Sequence, residues 1–233
     1  MQRVVLNLRT MVLARANIHF RSDGKALSVL SQKDLISLKE FLPDYDSTDC
    51  ACFVRHLGSF PMLGHVHPIG KTIYEELERK WGEYVVEIDP GTVFYRCRKN
   101  DTEEIPIPAQ KMFDPPYGKS GINRFNWYGL NHLYMADSLK IAKAETGYID
   151  SKSVGISTVS AENRTKIRLF KLDKDQGTAF SFCLFPDSGK ENNSHTYFFP
   201  NFISQCLYYL VMEKDIQLDG IMYPTVKGEA TGE

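Results

Sequence analysis

The amino-acid sequence predicts an α+β fold, in which helices surround a small sheet instead of alternating regularly with parallel strands. Segments with the period-two alternation of strands occur among segments with helical periodicity. They follow one another at irregular intervals, which favours α+β over a repeated βαβ arrangement. The predicted strands are 93–98, 132–136, 164–173 and 218–225, and the predicted helices are 31–42, 71–88, 137–147 and 199–213.

The composition is that of a globular protein. The chain has 233 residues, of which 42% are hydrophobic and 24% are charged, enough for one large domain or for a domain with an extension. A net charge of −1 argues against direct nucleic-acid binding through bulk electrostatics. No apolar run reaches the roughly 18 residues expected of a membrane span. The five cysteines are an odd number, and arginines interrupt the N-terminal apolar residues, so reduced thiols and a cytoplasmic location are expected.

Pro90-Gly91 is a turn signal and marks the predicted domain boundary. Residues 1–90 are predicted to form a partly helical N-terminal extension, with one helix at 31–42 and a second at 71–88 that breaks at Gly82. Two uses of these helices remain open. They pack against the core of the second domain, residues 91–233, or they serve dimerisation or the docking of a protein partner.

The first strand after the boundary, 93–98, places Phe94, Arg96 and Arg98 on one face. An arginine in the middle of a strand suits an anion, because its planar and permanently charged guanidinium matches phosphate oxygens. The alternative is an arginine of an edge strand that faces water. The pattern does not distinguish Arg96 from Arg98 as the one that points into a pocket.

The predicted helix 137–147 carries a carboxylate on its apolar side. Asp137 or Ser138 is the expected cap, and Gly147 is the expected end. Glu145 shares its side of this helix with Ala142, and such small residues leave room for a ligand beside the acid. The alternative is a helix-end glutamate exposed to solvent.

Three residues between the first strand and this helix suit a polar ligand. Tyr134, in the predicted strand 132–136, can stack on a planar ring, or it is a core tyrosine with its hydroxyl hydrogen-bonded. Arg124 and Asn126 flank Phe125 in a loop, and each alone is a weak signal because both types are common in loops.

The sequence predicts no metal site. Cys50, Cys52, His56, His65 and His67 have the side-chain types that zinc prefers, but their spacing matches no zinc pattern, so ordinary packing and loop roles are expected. The glycine-rich motifs of Rossmann and P-loop proteins are also missing from the sequence.

Residues 92–226 together resemble the RES domain family, which is named for an arginine, a glutamate and a serine. The family pattern is a Tyr-Arg strand, a Gly-Arg-(Phe/Trp)-Asn loop, and Leu-Tyr-(Leu/Met)-Ala leading into a helix that ends in Ala-Glu. The matching segments are VFYRCR with Arg96, GINRFNWYG with Arg124 and Asn126, HLYMADSLKIAKAE with Tyr134 and Glu145, and LDGIMYPT with Thr225.

The chain departs from the family pattern in three ways. Thr225 occupies the place of the family serine and keeps a hydroxyl, although its methyl group adds bulk. The loop reads Gly-Ile-Asn-Arg, a small insertion. Family members continue into a final apolar strand where this sequence reads GEATGE, so the closing strand is expected to be truncated or supplied elsewhere.

The resemblance implies a compact split β-core with surrounding helices, similar to ADP-ribosyltransferases, and an activity on NAD⁺. Many family members are toxins of toxin–antitoxin pairs. They cleave the nicotinamide–ribose bond with water or phosphate as acceptor, and a helix-turn-helix antitoxin blocks their active site. The resemblance implies catalytic roles for Glu145, Arg96 and Thr225 and requires no metal. It also implies NAD⁺ contacts from four residues: Arg96, Arg124, Asn126 and Tyr134. Two alternatives remain: an ADP-ribosyltransferase that modifies a cellular target, and a non-catalytic domain that binds a nucleotide or a partner.

Overall fold

The computed structural model describes residues 44–45, 47–99, 107–113, 118–146, 154–159, 165–172 and 197–224. Within these residues the helices are α1 (Ser47–Ser59), α2 (Pro68–Lys80), α3 (Leu139–Thr146) and α4 (Phe198–Glu213). The strands are β1 (Val85–Ile88), β2 (Phe94–Lys99), β3 (Val154–Val159), β4 (Ile167–Lys171) and β5 (Gly220–Met222). Short 3-10 helices lie at Pro61–Val66, Trp81–Tyr84 and Ala109–Met112.

The described strands form two separate small sheets. In the first, the order is β1-β4-β5, with β1 antiparallel and β5 parallel to β4. The second is the antiparallel pair of β2 and β3, in which Arg96 lies opposite Ser157. A mixed sheet and an antiparallel pair of strands, with helices at irregular places in the chain, confirm the predicted α+β class.

The main hydrophobic core lies between α1, α2, α4 and the sheet β1-β4-β5. Phe53 of α1 is 1% exposed and packs edge-to-face against Phe199 and Phe202 of α4. Burying a side chain of this size contributes about 2 kcal/mol or more. Helices α1 and α2 precede the boundary predicted at Pro90-Gly91, yet they share this core with residues that follow it.

Helix α2 shows how the sequence produces this packing. Ile69, Ile73 and Leu77 recur every four residues and are fully buried, so they form the apolar stripe of the helix. Pro68 occupies the first turn, where its missing N–H costs nothing. Nδ1 of His67 accepts a hydrogen bond of 3.3 Å from the backbone N–H of Ile69 and caps the helix.

The prediction for residues 71–88 was right for the helix as far as Lys80 and for an interruption near Gly82, where the chain forms a 3-10 helix. It was wrong for residues 85–88, which form β1. Val85, Val86 and Ile88 are β-branched and favour a strand, and pairing with β4 decides the outcome.

The other predicted elements had mixed outcomes. Strands in 93–98, 164–173 and 218–225 and the helices at 137–147 and 199–213 are confirmed. The strand predicted at 132–136 was wrong, since within the described residues this segment makes a single isolated bridge, between Ala136 and Tyr95. Helix α1 was not predicted. The predicted helix 31–42, the helix end at Gly147 and the residue Thr225 lie outside the described residues.

Candidate functional site

A cavity of about 450 Å³ opens between β2, the loop that precedes α3, and α3 itself. Ligand pockets commonly have volumes of about 300–1,000 Å³, so it can hold much of a small organic ligand. Tyr197 and Tyr223 complete its wall from the start of α4 and the residue after β5. Four parts of the chain that are distant in sequence therefore meet at one site.

The charges of this wall favour an anionic ligand that also has one group able to interact with a carboxylate. Among the described lining residues, Arg96, Lys119 and Arg124 are cationic, and Glu145 is the only carboxylate. His132 also lines the cavity and is 6% exposed. Such a cationic excess attracts phosphate, and partial burial strengthens the attraction because water screens it less.

Backbone hydrogen bonds order the loop of residues 118–131. The N–H of Asn123 donates to the carbonyl of Asn126 at 3.0 Å and closes a tight turn. The N–H of Gly129 donates to the carbonyl of Ser120 at 2.9 Å, and Gly118 and Gly129 both have φ of 77°, a conformation that glycine adopts at no steric cost. This turn presents Arg124 and Phe125 at its tip.

The side-chain amide of Asn126 forms hydrogen bonds that hold this loop together. Its Nδ2 donates to the carbonyls of Gly121 at 2.9 Å and Leu130 at 3.1 Å, and its Oδ1 accepts from the hydroxyl of Tyr134 at 2.7 Å. The residue is 2% exposed. Both ends of the amide are therefore used within the protein, although the residue lines the cavity.

The hydroxyl of Tyr134 is a permanent donor at neutral pH. Burial raises the pKa of Tyr134 well above its usual value, and nearby Arg124 opposes that shift only in part. The hydroxyl points to Asn126, so the ring is the part of Tyr134 that a ligand in the cavity can meet.

Arg96 lines the cavity, and Arg98 does not. Nη1 of Arg96 donates a hydrogen bond of 2.9 Å to the carbonyl of Tyr134, which fixes the guanidinium against the cavity wall. Arg98 is exposed and its Nη1 donates to the carbonyl of Lys111, away from the cavity. The structure thus separates two arginines that the strand pattern could not.

Arg124 is 4% exposed and lines the cavity from the tip of the turn. Its guanidinium carbon lies 5.5 Å from the centre of the Tyr197 ring, within range of a cation–π interaction. A cation held on an aromatic face keeps its charge in place for an anion.

Glu145 lies in the last turn of α3 and lines the cavity together with Ala142, three residues earlier, which is 5% exposed. The helix starts at the predicted place, because Oγ of Ser138 accepts a hydrogen bond of 3.3 Å from the N–H of Ile141. Ala142 is the small residue that the sequence places beside Glu145, and both residues line the cavity.

Several lining residues were not predicted from the sequence, namely Lys119, Ser120, His132, Tyr197 and Tyr223. His132 had a usable signal, since it lies two residues before Tyr134 in an extended segment and so shares its side. Tyr197 and Tyr223 had none, because tertiary packing brings them to the site. The described chain ends at Pro224, directly after Tyr223, so the predicted site residue Thr225 is not described.

Two histidines near α1, His56 and His67, have hydrogen-bonding and ring contacts. Nε2 of His56 lies 3.0 Å from the carbonyl of Leu63, and the rings of His56 and His67 lie 5.1 Å apart. Across the described ranges, no group of three or more His, Cys, Asp or Glu residues is arranged to hold a metal ion. In the same part of the chain, no helix is both long and apolar enough to cross a membrane.

Comparison with protein-family models, with curated proteins and with solved structures found no match for this chain. The resemblance to RES domains therefore depends on the residues of the sequence and on where the structure brings them.

Proposed function

We propose that the protein binds NAD⁺ in this cavity and cleaves the bond between nicotinamide and ribose. The observation that carries the proposal is that Glu145, Arg96 and Arg124 come from α3, β2 and a loop and line one cavity. A dinucleotide with a pyrophosphate, a ribose that develops positive charge and a flat aromatic ring matches cationic, anionic and aromatic side chains in one pocket.

The pyrophosphate is assigned to the cationic wall. Arg96 and Arg124 supply forked donors that fit phosphate oxygens, and Lys119 adds a third positive charge. The bond from Arg96 to the carbonyl of Tyr134 and the ring of Tyr197 beside Arg124 hold the two guanidinium groups before a ligand arrives. Pre-organised donors bind more tightly because less side-chain freedom is lost on binding.

The cleavage step is assigned to Glu145. As the carbon–nitrogen bond breaks, its electron pair leaves with the nicotinamide ring nitrogen, and the ribose carbon becomes an oxocarbenium-like cation. A carboxylate beside that sugar stabilises the charge. Water or phosphate then adds to the ribose carbon, and water loses a proton in doing so. The products are nicotinamide and either ADP-ribose or its phosphate ester.

The remaining predicted residues receive supporting roles. The ring of Tyr134 borders the nicotinamide, and Asn126 orients the loop and Tyr134 because its amide is bonded to both. Thr225, two residues beyond Tyr223, is assigned the hydroxyl that the family serine provides. The division into the sheets β1-β4-β5 and β2-β3 supports an ADP-ribosyltransferase-like split core.

The cellular role is proposed from the resemblance. On that basis the protein is the cytoplasmic toxin of a toxin–antitoxin pair, and a helix-turn-helix antitoxin is its partner. Because α1 and α2 pack in the main core, the proposed contact for the antitoxin or for a second copy of the chain is the surface of residues 1–90 outside that packing.

Proton NMR of NAD⁺ mixed with the purified protein, with and without phosphate, tests the proposed activity. Release of nicotinamide in both buffers indicates hydrolysis, and release only with phosphate indicates phosphorolysis. A target protein that gains the mass of one ADP-ribose unit would favour the transferase alternative. NAD⁺ that binds in calorimetry and stays intact in both buffers would overturn cleavage and favour the non-catalytic alternative.

A further inference from the structure

Helix α4 holds the tip of the site loop through two buried polar side chains. Nδ2 of Asn201 donates to the carbonyls of Asn123 at 2.7 Å and Arg124 at 3.1 Å. Oγ of Ser204 donates to the carbonyl of Phe125 at 2.8 Å. Three consecutive carbonyls of the turn are therefore bonded to one face of α4, and Asn201 is 1% exposed.

The same amide also reaches the aromatic residue beside Arg124. Nδ2 of Asn201 lies 2.9 Å from the carbonyl of Tyr197, whose ring contacts the Arg124 guanidinium. One buried nitrogen thus ties the backbone of Arg124 to the backbone of its cation–π partner. The bond from Asn123 to Asn126 closes the turn on itself, but the bonds from α4 decide how the turn is oriented relative to the cavity.

Packing alone does not call for an amide here. A buried amide is costly unless it is hydrogen-bonded, and at this position its nitrogen meets only carbonyl oxygens. The nitrogen must be a donor, so the isosteric Asn201→Asp change would set a carboxylate oxygen against those same carbonyls. Holding this turn therefore requires a side chain that donates hydrogen bonds at position 201.

We propose that Asn201 is a positioning residue for ligand binding: it acts through the Asn123–Phe125 turn to aim Arg124 into the cavity, and Ser204 assists it. This rests on the proposed function only for the identity of the ligand, the pyrophosphate of NAD⁺. The orientation of the turn itself is a property of the ligand-free protein.

Hydrogen-exchange mass spectrometry of the ligand-free protein tests the link between α4 and the turn. Asn201→Asp should speed exchange in peptides covering 121–127 by about 10-fold, because bonds that hold the turn are lost. Ser204→Ala removes one of these bonds and should speed exchange by a smaller factor. Gln205→Ala, one residue further along α4, is the matched control and should leave these peptides unchanged. Unchanged exchange in folded Ser204→Ala and Asn201→Ala proteins would overturn the proposal, even if Asn201→Asp does not fold.

A double-mutant cycle with NAD⁺ tests whether Asn201 acts through Arg124. Asn201→Ala should raise KM by about 10-fold with little change in kcat, as expected when a charge-assisted contact is misdirected. In an Arg124→Ala background, the same change should add less than about 2-fold. Independent, multiplicative effects would overturn the proposal. If the wild-type protein neither binds nor cleaves NAD⁺, the proposed function fails, and the exchange result alone decides the role of Asn201.

Discussion

The hydroxyl of Tyr134 donates a hydrogen bond of 2.7 Å to Oδ1 of Asn126 and so joins two walls of the candidate site. The carbonyl of the same tyrosine accepts the bond from Arg96. Tyr134 therefore connects β2, the segment before α3 and the loop of residues 118–131. A substitution at this residue therefore alters contacts in all three parts of the chain.

Tyr134→Phe should lower the free energy of unfolding by about 1–2 kcal/mol. The ring remains, but Oδ1 of Asn126, in a residue that is 2% exposed, loses its donor, and an unpaired buried acceptor carries a desolvation cost. Urea denaturation of the purified proteins measures the difference. Tyr128→Phe is the control, because Tyr128 is 61% exposed and its hydroxyl can be replaced without that cost. Equal losses in the two variants would contradict the assigned role of the hydroxyl.

Glu145→Gln should reduce NAD⁺ cleavage by about 100-fold or more, the loss typical of removing one electrostatic stabiliser of a transition state. The change keeps the shape of the side chain and removes its charge. Initial rates of nicotinamide release measure it. Glu213→Gln, at the exposed end of α4, removes the same charge far from the lining residues and should leave the rate unchanged. Wild-type turnover by Glu145→Gln would mean that another group stabilises the reaction.

Arg96→Lys and Arg98→Lys should behave differently although the two residues share a strand. Lysine keeps the charge at position 96 but loses the planar fork, so KM for NAD⁺ should rise roughly 10-fold or more. Arg98 faces solvent and bonds to the carbonyl of Lys111, so Arg98→Lys should leave KM within about 2-fold. Steady-state kinetics of both variants decides the matter, and a larger effect at Arg98 would reverse the assignment.

The sequence predicted the elements whose signals are local. The helix predicted at 71–88 matches α2 as far as Lys80, and the apolar run of 199–213 predicted α4. The residues 85–88 were assigned to the same helix as α2, because a strand of four residues depends on its partner, and β4 lies about 80 residues further along the chain. The segment 132–136 was predicted to be a strand, but within the described residues it pairs only at Ala136.

The same distinction between local and long-range signals applies to the residues of the candidate site. Periodicity placed Glu145 on the apolar side of its helix, and it placed Arg96 on one strand face together with Arg98 without distinguishing the two. Periodicity did not show that the side-chain amide of Asn126 would hydrogen-bond to the loop and to Tyr134, because the folded turn determines those partners. Asn201 gave no signal at all. It contacts Asn123 and Arg124, about 77 residues earlier in the chain, through backbone carbonyls that carry no trace in the sequence.

Gly70→Ala should destabilise the protein by about 3 kcal/mol. Gly70 lies where α2 crosses the 3-10 helix of residues 61–66, and a methyl group there would overlap the carbonyl of Gly64 and come within 2.9 Å of the Phe53 ring. Backbone does not move aside as a flexible side chain does, so overpacking at this point is costly. Thermal and urea unfolding measure the loss. Gly58→Ala in α1 has open space around it and should keep or raise stability by up to about 1 kcal/mol.

Stability should fall as the pH drops below about 6.5, the usual pKa of histidine, and His67 should account for part of that fall. Partial burial lowers the pKa of His67, the neighbouring His56 lowers it further, and Asp49 opposes them. Between the lowered pKa and the usual one the unfolded chain binds more protons than the folded protein, so acid favours unfolding. Protonation of Nδ1 also removes the acceptor that caps α2 at Ile69.

Urea denaturation at pH 7.5 and 5.5 measures this dependence. His67→Asn keeps a good helix cap and cannot titrate in this range, so its midpoint should change less between the two pH values than that of the wild-type protein. His65→Asn changes an exposed neighbour that does not cap α2 and should retain the wild-type difference. A His67→Asn protein with the full wild-type difference would show that other groups produce the acid sensitivity.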